Sequence, residues 1–203
     1  MPVIDTAKAL RGRYKAAGGR SVEKELSALD KHCRHFVSLS PFLVIGSSSA
    51  NGPADVSPRG ETPGFVHVLD DTHLAIPDRP GNNRLDTFEN ILENPNVALI
   101  FLIPGVDETL RINGVAEIRD DVELLERFAT AGKLPATVLV VTVKAAYLHC
   151  AKALMRSNLW DPDTQIERCD LPTMGRMISD QVGDAKEPES QHAMQARYRE
   201  RLY

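Results

Sequence analysis

Three arginines and two asparagines stand close to the ends of short apolar runs. In ADVSPRGETPGFV (54–66), Ser57 and Arg59 lie among prolines and glycines, where a plain turn needs neither. In PDRPGNNRLDTF (77–88), Arg79 and Arg84 flank Asn82 and Asn83 just ahead of a helical pattern. Guanidinium forks suit bidentate contact with phosphate oxygens. Free N–H groups at a helix start attract anions, phosphate above all. Arg59, Arg79 and Arg84 can therefore converge on one doubly charged group. The plain alternative is that Asn83 caps the helix and the arginines face water. The coincidence of two such stretches at neighbouring strand ends favours a ligand.

Other candidates carry less. Arg111 in LRINGVAEI sits beside Asn113-Gly114, which reads either as a hairpin turn or as one strand with a bulge at the glycine. Lys152, Arg156 and Trp160 recur at four-residue steps in HCAKALMRSNLW, so on a helix they share one face. Trp160 then either packs into the core or shields a flat ligand. His32, Cys33 and His35 resemble a metal cluster, but Cys33 falls on an apolar stripe and further ligands at suitable spacing are not evident. Ser57 lacks the strand-to-helix elbow of a hydrolase nucleophile.

The elements that must position these residues follow from periodicity. Val22, Leu26, Leu29, Cys33 and Phe36 mark a helix over 21–38, with Ser21 as its N-cap and Pro41 as its stop. FLVIGSSS (42–49) and ADVSP (54–58) read as strands joined by Asn51-Gly52, and 64–69 with 73–77 as a second hairpin. A short helix over 84–94 carries Leu85, Phe88, Ile91 and Leu92 on one face. NVALIFLIP (96–104) is apolar on both alternations, which predicts a strand buried on both faces. Residues 108–120 predict one long, partly exposed strand, 122–130 a helix, 137–150 another long strand, and 151–160 the opening of a helix. Six or seven strands with short connections favour antiparallel pairing. The expected architecture is a mainly β, six- or seven-stranded antiparallel barrel with peripheral helices. We expect one domain, with N-terminal helices over 1–40, the barrel over 41–150 and a helical arm over 151–203.

Composition narrows the classes further. The chain has 203 residues, 42% hydrophobic and 26% charged, in the ordinary range for a soluble globular protein. A net charge of -4 argues against a nucleic-acid partner. No apolar run approaches the length of a membrane span. The start, MPVIDTAKALRGRYK, lacks the pattern of a signal peptide, and three widely spaced cysteines suggest no disulfide framework. A reducing, cytoplasmic setting is expected.

The succession SPF, strand, Asn-Gly turn, DVSPRG, PGFV, IPDRPGNNR-D--NI--NP and FLIPG--ETLRINGVAEI resembles a branch of the pyridoxamine 5'-phosphate oxidase-like, FMN-binding split-barrel proteins. It spans roughly residues 38–165, while the C-terminal substrate signature of the authentic oxidase is not visible. The resemblance implies a split barrel and FMN in a cleft at a homodimer interface. It further implies that the strand with Ser57 and Arg59 runs along the flavin, and that the loop with Asn82, Asn83 and Arg84 cradles the phosphate. The cofactor-binding set so implied is Asp55, Val56, Ser57, Pro58, Arg59, Pro77, Asp78, Arg79, Asn82, Asn83 and Arg84, extended by Arg111, Lys152, Arg156 and Trp160. The arm with the last three residues would close over the cofactor.

Three functions compete. One is an FMN-dependent oxidoreductase acting on a small organic substrate. Another is a flavin carrier or sensor without turnover, since no residue marks itself as a general acid or base. The third is a haem-binding relative on the same barrel, for which His67 and His149 are the bare axial candidates.

Overall fold

The computed structural model describes residues 3–184 and 186–203. Met1 and Pro2, which open the stretch expected to lack a signal peptide, and Ala185, in the expected helical arm, lie outside the described residues. The chain opens with α1 (Ala7–Arg11), capped by Thr6, and α2 (Arg20–Glu23). The helix expected over 21–38 is in fact α2 and a separate α3 (Lys31–Leu39). Two local choices split it. Asp30 caps α3 by accepting from the Cys33 N–H, while the Leu26 backbone exchanges hydrogen bonds of 2.9 and 2.8 Å with Ala146. Ser21 caps nothing and donates to the Gly18 carbonyl instead.

β1 (Phe42–Ser48) and β2 (Ala54–Gly60) form the hairpin the Asn-Gly pair predicts. β2 runs on through Ser57-Pro58-Arg59. Proline is tolerated there because β2 is an edge strand, paired only with β1. β3 (His67–Val68) is shorter than expected and pairs with β4 (His73–Pro77). Then come α4 (Asp86–Glu93), β5 (Asn96–Ile103), β6 (Val106–Arg119), α5 (Val122–Glu126) and β7 (Val138–His149). The arm carries α6 (Lys152–Ser157), α7 (Met174–Val182) and α8 (Gln191–Arg199).

All pairings are antiparallel, in the order β2-β1-β5-β6-β7-β4-β3. The seven-stranded sheet curls without closing, so the barrel is split between β2 and β3. Leu43, Ile45, Phe101, Leu110 and Ile112 fill its inner face. β6 is one strand, as the bulge reading has it: the register with β7 shifts between Asn113 and Gly114. A Cβ at Gly114 would collide with the Thr142 carbonyl oxygen.

β5 departs from the expectation of two buried faces. Val97, Leu99 and Phe101 are buried, whereas Ala98 is exposed and Ile100 and Leu102 are half-buried. Among the described residues no helix is long and apolar enough to cross a membrane.

Candidate functional site

Strand alternation decides which residues of ADVSPRG can meet a ligand. Ser57 pairs with Ile45 and Arg59 with Leu43, both fully buried partners, so these side chains share the inner face. Val56 and Pro58 take the other face, where Val56 is 71% exposed. The Val56 side chain is therefore turned from the inner face, although the family resemblance put Val56 in the cofactor set. Pro58 still borders the cleft that begins here.

That cleft, of about 290 Å³, lies between the end of β2, the loop after β4 and the first turn of α4. It gathers Ser57, Pro58, Arg59, Pro77, Asp78, Arg79, Asn82, Asn83 and Arg84, the greater part of the expected set. Asp55 lies beside it on β2, opposite Ser47, and its Oδ2 is buried with no hydrogen-bond partner among the described residues.

The arginines differ in what already holds them. Arg59 has no ion pair among the described residues; its Nη1 donates to its neighbour's Pro58 carbonyl at 2.8 Å and the guanidinium sits 6.0 Å from the Phe88 ring. Burial pulls its pKa below the usual arginine value, against the opposing pull of Asp78 and Asp55. Arg84 donates from Nε to Asp86 Oδ2 at 2.7 Å, and that carboxylate raises its pKa. Arg79 is committed elsewhere. Its Nε and Nη2 reach Glu61 at 2.8 and 3.2 Å, and Nη2 also reaches Thr130 Oγ1 at 2.9 Å. That leaves the unpaired Arg59, and Arg84 once it parts from Asp86, to converge on a ligand.

The start of α4 is not built as the asparagines suggest. Leu85 holds the N-cap position in the left-handed region, φ 61°, without a side-chain cap, and Asn83 is also left-handed at φ 58°. Asn82 Oδ1 instead accepts from the Arg84 N–H at 3.1 Å. Phe88 N–H and Glu89 N–H both donate to Leu85 O, at 2.8 and 2.9 Å, so of the first amides of α4 those of Asp86 and Thr87 have no backbone partner among the described residues. Thr87, in this first turn, is 2% exposed and lines the cleft, and its Oγ1 is buried without a partner among the described residues. Sequence reasoning missed Thr87. A hydroxyl two residues into a helix beside a basic loop was the available signal.

The residues fit a phosphate ester. An uncommitted Arg59, the orphaned Thr87 hydroxyl and the first amides of α4 supply donors, and Arg84 adds a second cation. Asp86 competes for Arg84, and Asp78 adds a negative charge to the lining. Burial raises the Asp78 pKa and Arg59 holds it partly down.

Four expected residues lie elsewhere. Arg111 pairs with Ile100 and Tyr147 on the outer face of the sheet, its guanidinium 5.2 Å from the Tyr147 ring. Lys152 and Arg156 are exposed on α6. The shared helical face for Trp160 does not form, because α6 ends at Ser157 and Asn158 turns left-handed at φ 49°. Trp160 Nε1 donates to the Val106 carbonyl at 2.9 Å, tying the arm to the start of β6. Of the histidines, His67 stacks on Phe128 at 4.1 Å, and burial, with Arg127, lowers its pKa. Cys33 is a core residue, its thiol pushed up to about 11 by burial.

The family profile for pyridoxamine 5'-phosphate oxidase matches residues 29–150, and the chain belongs to that family. No curated protein matches the chain. Among solved structures it is similar to HupZ of Group A Streptococcus (15% identity, TM-score 0.47), over 59% of this chain and 92% of that one. It is also similar to a Clostridium acetobutylicum protein related to general stress protein 26 (15% identity, TM-score 0.43), over 58% of this chain and 85% of the other. An FMN-binding protein of Syntrophomonas wolfei is 14% identical, with a TM-score of 0.43 over 58% and 83% of the two chains.

Proposed function

We propose that the protein binds FMN in this cleft, with the phosphate at the start of α4, and serves as a flavin-dependent oxidoreductase for a small organic substrate. One observation carries the reading: Thr87, whose Oγ1 is buried and unpartnered among the described residues, lines the same cleft as Arg59, whose guanidinium makes no ion pair there. A buried hydroxyl without a partner is costly, and an anion's oxygens remove that cost. Ser57, next along β2 from Arg59 on the inner face, is placed to meet the ribityl or ring end of the cofactor.

Bound flavin supplies two-electron or one-electron transfer, and the chain supplies binding, orientation and electrostatics. Arg59 and Arg84 offset the phosphate charge, while the β2 edge leaves backbone groups of Pro58 and Gly60 beside a flat ring. Among the residues lining the cleft there is no His, Cys, Lys or Tyr. That favours a second reading, a flavin carrier without turnover. Rates of flavin reduction by nicotinamide donors separate the two.

Titration with FMN, FAD and riboflavin tests the cofactor. FMN must bind most tightly; equal affinity for riboflavin removes the phosphate site. A homodimer is part of the same proposal. The half-buried Val44, Ile100 and Leu102 and the exposed Val56 share an outer sheet face that a second copy would cover. A monomer in sedimentation at micromolar concentration, with flavin bound, rejects it.

A further inference from the structure

The segment between β4 and α4 has to present Asn82, Asn83 and Arg84, yet it is weakly held. At its start the Asp78 N–H donates to the Thr137 carbonyl at 2.9 Å. Beyond that point, and up to α4, its hydrogen bonds with side chains among the described residues are local, Arg84 to Asp86 and Arg84 to Asn82, with one exception. The exception is Arg79. Its guanidinium is gripped bidentately by Glu61, whose side chain is 8% exposed against 17% for the arginine, and by the Thr130 hydroxyl. Each partner is itself fixed. The Glu61 N–H donates to the Pro41 carbonyl at the mouth of the β1–β2 pair, and Thr130 closes a tight turn by two backbone bonds with Lys133. The Tyr203 ring lies over the other side of Arg79, 5.5 Å from its centre.

We propose that Glu61 is a positioning residue of the anion cleft: through Arg79 it sets the loop that carries Arg84 against the β2 end that carries Arg59. The inference rests on the FMN reading. Buried and paired, Arg79 does not reach the phosphate. Glu61 both spends that charge and converts it into a hinge point on the sheet frame. A bidentate pair suits this use because it fixes the orientation of the guanidinium plane as well as its distance.

Equilibrium titrations of the full chain with FMN and riboflavin test it, because their affinity ratio isolates phosphate contacts from ring contacts. The parent alone tests the FMN reading: no preference for FMN ends that reading and this inference together. Given a parent that favours FMN, Glu61→Gln keeps the shape, loses the charge and should lower the ratio about tenfold, with riboflavin affinity unchanged. Arg79→Gln should lower it by a similar factor, and the double variant no further than either single, since the two act as one unit. An unchanged ratio in Glu61→Gln overturns the proposal. So does a raised ratio, which would mean that Glu61 merely withholds a cation from the phosphate. Losses that multiply in the double variant also overturn it. Thr130→Val removes one Arg79 contact and leaves the ion pair, so it remains folded if Glu61→Gln does not. It should lower the ratio about threefold, and no change refutes the hinge.

Discussion

Arg59 and Asp78 line one cleft without forming an ion pair, and each resists the shift that burial imposes on the other. Burial raises the Asp78 carboxyl above its ordinary 3.8, and Arg59 only partly offsets this. The folded state thus binds the Asp78 proton more tightly than the unfolded chain. The sign follows from linkage: stability from this group is greatest below 3.8 and falls as pH rises to the raised value. Asp78→Asn should remove that fall in thermal melts taken across the acid range. It should also tighten FMN binding about threefold to tenfold near neutral pH by removing a negative charge from the phosphate's surroundings. Weaker FMN binding in Asp78→Asn would mean that the carboxylate is itself a ligand.

Arg59 and Arg84 should not count equally. Arg59→Ala should weaken FMN binding by about 1.5–3 kcal/mol, roughly ten- to a hundredfold, because the lost contact is charge-assisted and shielded from water. Arg84 is 72% exposed on its side chain and must leave Asp86 to meet a phosphate. Its loss should cost less than that of Arg59 and should fade with added salt. Fluorescence titrations at low and high ionic strength check both, and riboflavin should not respond to either substitution.

Trp160 separates a tether from a lid. Its indole is half-buried and donates to Val106, and the described cleft does not include it. Trp160→Ala should therefore lower stability by about 1–3 kcal/mol, less than a fully buried tryptophan, through lost packing and one hydrogen bond. Flavin fluorescence should stay as in the parent. An unchanged melting temperature with altered fluorescence would restore the lid.

Much of this architecture was legible because period and turn chemistry agree. The Asn51-Gly52 turn, the alternation in β1 and the run into β2 all point to one hairpin, and the inward phase of Ser57 and Arg59 follows from it. The site was legible as far as residue type decides it. What failed was everything that depends on a partner distant in sequence. Arg79 looks as free as Arg59 until Glu61 and Thr130 are placed beside it. The helix expected over 21–38 has an unbroken apolar spacing, but a backbone exchange with Ala146 interrupts it. NVALIFLIP reads as buried on both faces because hydropathy records what a strand tolerates. It does not record which face lies open in a single chain.

Thr87 gives the sharpest test, because its two effects have opposite signs. Its Oγ1 is buried and unpartnered among the described residues, so the folded protein carries a desolvated hydroxyl with no compensating bond. Thr87→Val has nearly the same shape and no hydroxyl. In the absence of ligand it should be neutral or raise stability by up to about 1 kcal/mol, since no bond is lost and the desolvation cost disappears. With FMN the balance reverses. A hydroxyl donating to a phosphate oxygen is worth about 1–2 kcal/mol, so the variant should bind FMN roughly five- to thirtyfold more weakly and riboflavin as before. Ligand-free melting and paired titrations on the same preparation measure both signs. A variant that melts lower and binds FMN unchanged would place the Thr87 hydroxyl in the packing of α4 and outside the phosphate site.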